Sequence, residues 1–172
     1  MLGLRSVVQL SSSLVGVCQM AVIELVMMDS SPAAVVRDAM AMRDFPSFFA
    51  RAFGAVAAAV AGQGLEIVGE PFALFPIAPA DVVEVAAGFR VSAAAEPAGD
   101  VVPLELPAGR CVTTVHVGPY ESMDKTYEEM RGWMAAHGLT PAAHLWEVYL
   151  SDPGAEPDPS TWRTQIVWPV SD

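Results

Sequence analysis

The chain has 172 residues, 53% of them hydrophobic, enough for one sizeable core and short for two enzyme domains. Nine Lys and Arg stand against 20 Asp and Glu, a formal net charge of -11, so the surface potential is expected to be negative. That excludes nucleic acid and anionic membrane as expected partners and favours cationic ligands.

Cys18 and Cys111 form no disulfide framework, and no run approaches the roughly 18 apolar residues of a transmembrane helix, so a cytoplasmic protein with reduced thiols is expected. Residues 1–19 carry Arg5 and an apolar patch from Leu14 to Cys18. Gln9 and the serines at 11 to 13 interrupt that patch, and Val17 stands where a lipoprotein signal needs a small residue. We expect a disordered or loosely packed extension, with Met20 as an alternative start, followed by one domain over 20–172.

Residues 21–28 read as a strand, Asp29-Ser30-Ser31-Pro32 as a turn, and 33–43 as a second strand. Pro46 and Ser47 open a helix whose stripe is Phe49, Phe53, Val56 and Val60, closed by Gly62 and Gly64. Strands follow at 72–75 and 82–91, then a linker rich in Ala, Pro and Gly at about 93–100. The same programme then recurs. Strands at 101–106 and 110–117 flank the turn Pro107-Ala108-Gly109, Gly118-Pro119 breaks the second, and Ser122 caps a helix. Its stripe is Met123, Tyr127, Met130 and Met134, with Gly138 as its stop; strands at 145–150 and 162–170 complete the set.

Gly64 and Gly138 lie 74 positions apart, as do Phe49 and Met123, Phe53 and Tyr127, Val56 and Met130, and Phe75 and Tyr149. No gap is needed from about 36 to 76, and five extra residues fall in the second copy within 151–160. We therefore expect an α+β fold of two strand-helix-strand-strand repeats, about 21–92 and 101–172. A pseudo-two-fold axis would relate them, with mainly antiparallel pairing, helices covering the outer faces and a ligand cavity between the repeats.

The centre of this arrangement is Leu145-Trp146-Glu147-Val148-Tyr149-Leu150. Side chains alternate across a strand, so Glu147 and Tyr149 share one face while Trp146 and Val148 share the other. A lone strand carboxylate is ordinarily solvated surface; the alternative is that it lines the cavity, where the repeat sets Ala73 opposite it.

The motifs His116-Val117-Gly118-Pro119-Tyr120-Glu121, Trp146-Glu147-Val148-Tyr149 with Asp152-Pro153, Trp162-Arg163-Thr164 and Trp168-Pro169-Val170 resemble the GyrI-like small-molecule-binding domain over about residues 21–172. The same module is the effector-binding domain of multidrug-responsive transcription activators. The resemblance implies two SH2-like-motif repeats and a central cavity for aromatic, often cationic, compounds, with Glu147 as its acidic floor. It does not extend to a DNA-binding domain, so a stand-alone small-molecule binder is expected, with its protein partner unspecified.

Tyr149 would stack and hydrogen-bond, and Tyr120 would tip over the mouth. Phe75 is the first-half wall, and Trp133 and Trp168 are further wall residues. Trp146 joins them only if a bulge turns it from the opposite face. The rival reading is an enzyme. Some GyrI-like proteins hydrolyse cyclopropane-containing alkylating compounds, which here would make Glu147 and Tyr149 catalytic, with Glu147 directing water at an electrophilic carbon. No metal or cofactor is expected: His116, His137 and His144 lack ligand spacing, and no Gly-x-Ser-x-Gly elbow or phosphate loop is present.

Overall fold

The computed structural model describes residues 22–77 and 81–172; the expected extension over 1–19 and Cys18 lie outside them. In chain order the elements are β1 (Glu24–Met28), β2 (Ser31–Met40), α1 (Phe45–Gly62), β3 (Phe72–Pro76), β4 (Val83–Arg90), β5 (Val101–Leu106), β6 (Gly109–Val117), α2 (Met123–Ala136), β7 (Thr140–Pro141), β8 (His144–Tyr149) and β9 (Arg163–Ser171). Each helix is preceded by one 3-10 turn, Met42–Asp44 or Tyr120–Ser122. The first of these takes the residues that end β2 short of the expected 43. Helix α1 starts with Pro at its first turn, where a missing N–H costs nothing. After the helices, Gly64 and Gly138 adopt φ of 68° and 67°, the left-handed conformation that ends a helix without steric strain.

Every strand pairing is antiparallel, in the order β1-β6-β9-β8-β3-β4-β2-β5, with β7 added on β9. The fold is α+β. Only two residues, Asp29 and Ser30, join β1 to β2, yet these strands lie six places apart in the sheet. A flat sheet would separate them by about 29 Å at ~4.8 Å per strand, whereas the link from Met28 to Ser31 spans at most about 11 Å. The sheet must therefore curl until its edges approach. Residues from both edges and the centre, among them Val26, Ala33, Leu106, Cys111, Phe72, Trp146 and Val167, accordingly share one apolar cluster.

The other face carries the row Val101, Val36, Ala87, Ala73, Glu147, Ile166 and Thr114, read directly across the ladders. Both helices pack on this face. Phe48, Ala52, Val56 and Val60 of α1 lie over its first half, and Met123, Met130 and Met134 of α2 over its second. This corrects the expectation that the helices would leave the Glu147 face open. The physical reason is that the curl already closes the opposite face on itself.

The segment Met42–Gly62 is also long and apolar enough, by length and composition, to cross a membrane, with hydropathy 1.4, against the sequence expectation that none would be. Its stripe is spent on the sheet: Phe48, Ala52, Val56 and Val60 are buried against β2 and β4.

Several positions at the expected spacing can be placed in the ladders and helices. Ala73 and Glu147, 74 positions apart, are direct partners between β3 and β8. The buried helix positions Ala52, Val56 and Val60 stand 74 before Thr126, Met130 and Met134. Ala87 and Ile166 are 79 apart, which places five extra residues after β8. Val36 and Thr114 are 78 apart, so a four-residue offset falls between β2 and α1, where a gapless match was expected. The first half spends those residues on the stretch through Met42–Asp44, whereas the second breaks at Gly118 and turns at once. The first strand of each half pairs with the other half's second strand, β1 with β6 and β5 with β2.

Candidate functional site

Glu147 sits at the middle of the covered row, 7% exposed, between Ala73 and Ile166. Burying a carboxylate without partners costs several kcal/mol, and two phenols meet that requirement. Tyr127 of α2 donates to one carboxylate oxygen, and Tyr149, two residues along β8, donates to the other at 3.0 Å. Among the described residues Glu147 forms no ion pair. Burial pushes its carboxyl up to about 7, against the opposing pull of the two phenol hydrogen bonds. Burial and the adjacent carboxylate hold the Tyr127 and Tyr149 hydroxyls well above the usual phenol range, so both stay protonated donors.

Aromatic rings surround this group. The Tyr149 ring lies 5.6 Å from Phe49 and 6.5 Å from Phe53, both on α1, and 6.1 Å edge-on from Tyr120. Tyr120 is the outermost, 37% exposed, and packs on Trp162 at 5.1 Å. Phe75 touches both helix-side clusters and so bridges the two halves. Trp168 is buried behind Tyr127 at 6.2 Å edge-on, with its indole N–H donating to the Ala142 carbonyl at 3.0 Å.

Glu147, Tyr149, Tyr120, Phe75 and, through Tyr127, Trp168 are thus brought together. Trp133 is not in that ring shell: it stacks on His137 at 3.8 Å, near the end of α2. Trp146 pairs with Leu74 and Val167 and packs into the interior of the curl beside Phe72 and Cys111. Strand β8 keeps regular register through this point, so no bulge turns Trp146 toward Glu147, and its place among the site residues is corrected.

Four contributors escaped the sequence. Tyr127 was read as one of a buried stripe, yet a tyrosine among methionines needs a partner for its hydroxyl, which was the available signal. Phe49 and Phe53 were read as the core stripe of α1. The core positions are instead Phe48 and Ala52, one residue round the helix, and the two phenylalanines turn toward Tyr149. His116 holds the neighbouring turn. Its Nδ1 lies 2.8 Å from the Thr126 hydroxyl and its Nε2 3.1 Å from that of Ser122, which joins β6 to the start of α2 beside Tyr120.

The rings lining Glu147 are only partly buried: Phe49, Phe53, Phe75, Tyr127 and Tyr149 are intermediate in exposure and Tyr120 is exposed. Two surface grooves lie elsewhere, one of about 440 Å³ lined by Arg37, Leu74, Glu84 and Ala86, the other of about 320 Å³ beside Arg51 and Asp100. Leu74 and Ala86 belong to the Trp146 side of the sheet.

One stability consequence follows from the Glu147 carboxyl. Its folded value of about 7 exceeds the ordinary 4.5, so between those pH values the folded protein keeps a proton that the unfolded chain has lost. Stability contributed by this group is therefore present below about pH 4.5 and falls as pH rises toward 7, by about 1.4 kcal/mol per pH unit and roughly 3 kcal/mol in all. Urea unfolding at about pH 5 and pH 8 should show Glu147→Gln losing less stability than wild type, by that order. Equal losses would contradict the assignment.

The fold is thus a curled antiparallel sheet with two helices packed on the face that carries one buried, phenol-bonded acid. The chain matches the GyrI-like small molecule binding domain over residues 23–171 and belongs to that family. The C-terminal domain of EcmrR superposes with TM-score 0.75 at 19% identity, covering 90% of this chain and 99% of that one. Against EcmrR in its complex with DNA the TM-score is again 0.75 at 20% identity, covering 89% of this chain, which spans 58% of that protein. A hydrolase encoded by lin2189 from Listeria innocua gives TM-score 0.61 at 18% identity, covering 87% and 91% of the two chains. SAV2435 bound to tetraphenylphosphonium gives 0.58 at 12%, covering 87% and 98%. At these identities the likeness is one of fold. No curated protein matches the chain in sequence.

Proposed function

We propose that this chain is a cytoplasmic binder of hydrophobic, preferably cationic aromatic small molecules, held at Glu147. The observation that carries the reading is a carboxyl group 7% exposed, without a cationic partner among the described residues, inside a shell of tyrosine and phenylalanine rings. An arriving cation supplies the missing counter-charge. Ring contacts add roughly 0.5 to 2 kcal/mol each, less than the charge pairing in a dry site. Charge therefore selects the class of ligand, and stacking sets the tolerance of shape. Glu147 is the acidic floor, Tyr127 and Tyr149 hold its two oxygens, and Tyr120, Phe75 and Trp168 contribute walls. The rings around Glu147 keep part of their surface exposed, and the outermost of them, Tyr120 at 37% exposed, is the natural point of entry for a ligand. SAV2435, bound to tetraphenylphosphonium on the same fold, supports that cation as a probe.

The test is a titration with tetraphenylphosphonium at about pH 8, followed by quenching of the intrinsic tryptophan and tyrosine emission. We expect saturable one-site binding in the micromolar range, about -8 kcal/mol. A signal that never saturates would contradict the proposal.

A second reading draws on the same carboxyl. An acid that titrates near neutrality between two phenol donors can give or take a proton, which suits hydrolysis of cyclopropane-containing alkylating compounds. Glu147 would direct a water onto the ring carbon while Tyr149 holds the flat substrate. Mass spectrometry of a cyclopropane alkylator incubated with the protein separates the two. A ring-opened, water-added product that disappears in Glu147→Gln is hydrolysis; none above the buffer rate leaves binding.

A further inference from the structure

Glu147 has the surroundings of a carboxylic acid waiting to ionise rather than of a carboxylate already paired. Its ladder neighbours are Ala73 of β3 and Ile166 of β9, and Phe49 and Phe53 of α1 meet it only through the Tyr149 ring. The titratable groups around it are Tyr149 on its own strand, Tyr127 on α2, Tyr120 on the preceding 3-10 turn and, farther out, Asp124, Arg131 and Asp152. All but Arg131 are phenols or acids. The Arg131 guanidinium lies over the Trp168 ring, 5.1 Å from its centre, and is engaged there rather than at the carboxyl. His116 faces Thr126 and Ser122 instead.

We propose that cation binding at this site is an exchange in which one proton leaves the Glu147 carboxyl for solvent as the cation arrives. This rests on the reading of the site as a cation-binding pocket. The balance is simple: carboxylic acid plus cation gives the carboxylate-cation pair plus one released proton, with no bond to carbon made or broken. Below neutrality the site then holds zero net charge both empty and filled, which avoids leaving an unpaired ion among aromatic rings in either state. The two phenol donors suit this role. Both can donate to the anion once it forms, and the acid that burial holds protonated up to about pH 7 gives up its proton when a cation offsets that burial. Affinity for a permanent cation should therefore rise about tenfold per pH unit below neutrality and level off above it, while a neutral aromatic ligand shows no such rise.

The experiment is calorimetric titration of the full chain with tetraphenylphosphonium at about pH 6 and about pH 8.5, each in two buffers of different ionisation enthalpy. The expected result is close to one proton released per ligand at the lower pH, close to none at the higher, and a Kd roughly tenfold or more weaker at the lower. Carbon-13 NMR of the glutamate carboxyls, with Glu147→Gln assigning the signal, should place the free group near neutrality. Saturable binding with no proton release and the same Kd at both pH values would overturn the exchange while leaving the binding reading intact. So would a free Glu147 carboxyl that titrates in the ordinary carboxylate range. No saturable binding at either pH would overturn the binding reading, and the exchange with it.

Discussion

Replacing Glu147 with Gln lowers affinity for tetraphenylphosphonium at about pH 8 by at least about 30-fold, some 2 kcal/mol, and leaves a neutral aromatic ligand within a few-fold of wild type. Glutamine keeps the size of the side chain and its ability to accept from one phenol, so the ring shell around it is retained. What it removes is the charge, in a site that is 7% exposed and walled by rings, where screening by water is weak. The effect is confined to cationic ligands because the aromatic walls are untouched. Equal affinity of the two proteins for the cation would show that ring stacking alone carries recognition. The free Gln variant should at the same time be no less stable than wild type at this pH, since the cost of an ionised buried acid is gone.

Gly88→Ala should destabilise the fold by about 3 kcal/mol or more, toward the upper end for overpacked positions. A Cβ at this position would stand 1.9 Å from the Ala34 carbonyl oxygen and 2.9 Å from the Val35 Cα. Both are backbone atoms of β2, so relief requires β2 to part from β4. That ladder runs over eight residue pairs and holds α1 against the sheet, and the next strand along is β3, the partner of β8. The loss should appear as a lower urea midpoint with the signal of a cooperative transition retained. Gly132, mid-helix in α2 with nothing within 4 Å of an added Cβ, is the matched control: alanine there should stabilise by about 0.5 to 1 kcal/mol. If both substitutions behave alike, the close approach at Gly88 is not what constrains that position.

How much of this was legible in the residues follows from how local each signal is. Alternation along 145–150 separates Glu147 and Tyr149 from Trp146 and Val148 whatever surrounds the strand, and the ladders bear it out. The two helix stops at Gly64 and Gly138 are likewise decided within one turn of chain. The spacing of 74 separates buried positions of the two helices, Val56 and Met130 or Val60 and Met134, because each helix stripe rests on short-range apolar spacing.

Long-range features were not legible. Nothing near Asp29-Ser30 announces that β1 will pair with β6 instead of folding back on β2, since a two-residue turn between strands ordinarily signals a hairpin. That exchange is what curls the sheet, and the curl sends both helices to the Glu147 face. The same geometry makes Tyr127 a partner of Glu147. In the α1 stripe Val56 and Val60 are buried as the spacing predicts, but its first two positions fall on Phe48 and Ala52 because Phe48 and Phe49 are equally apolar, and only the position of Tyr149 distinguishes core from site. Strand β7 is two residues long and contains Pro141, too short to show any period.

A crystal structure of the protein soaked with tetraphenylphosphonium decides where the cation is held. The phosphonium centre is expected beside the Glu147 carboxylate, with the rings of Tyr120 and Tyr149 against the phenyl groups and Trp146 unchanged in the interior of the curl. Phosphonium seated instead in the groove beside Arg37 and Glu84, with none at Glu147, would overturn the reading of Glu147 as the binding group.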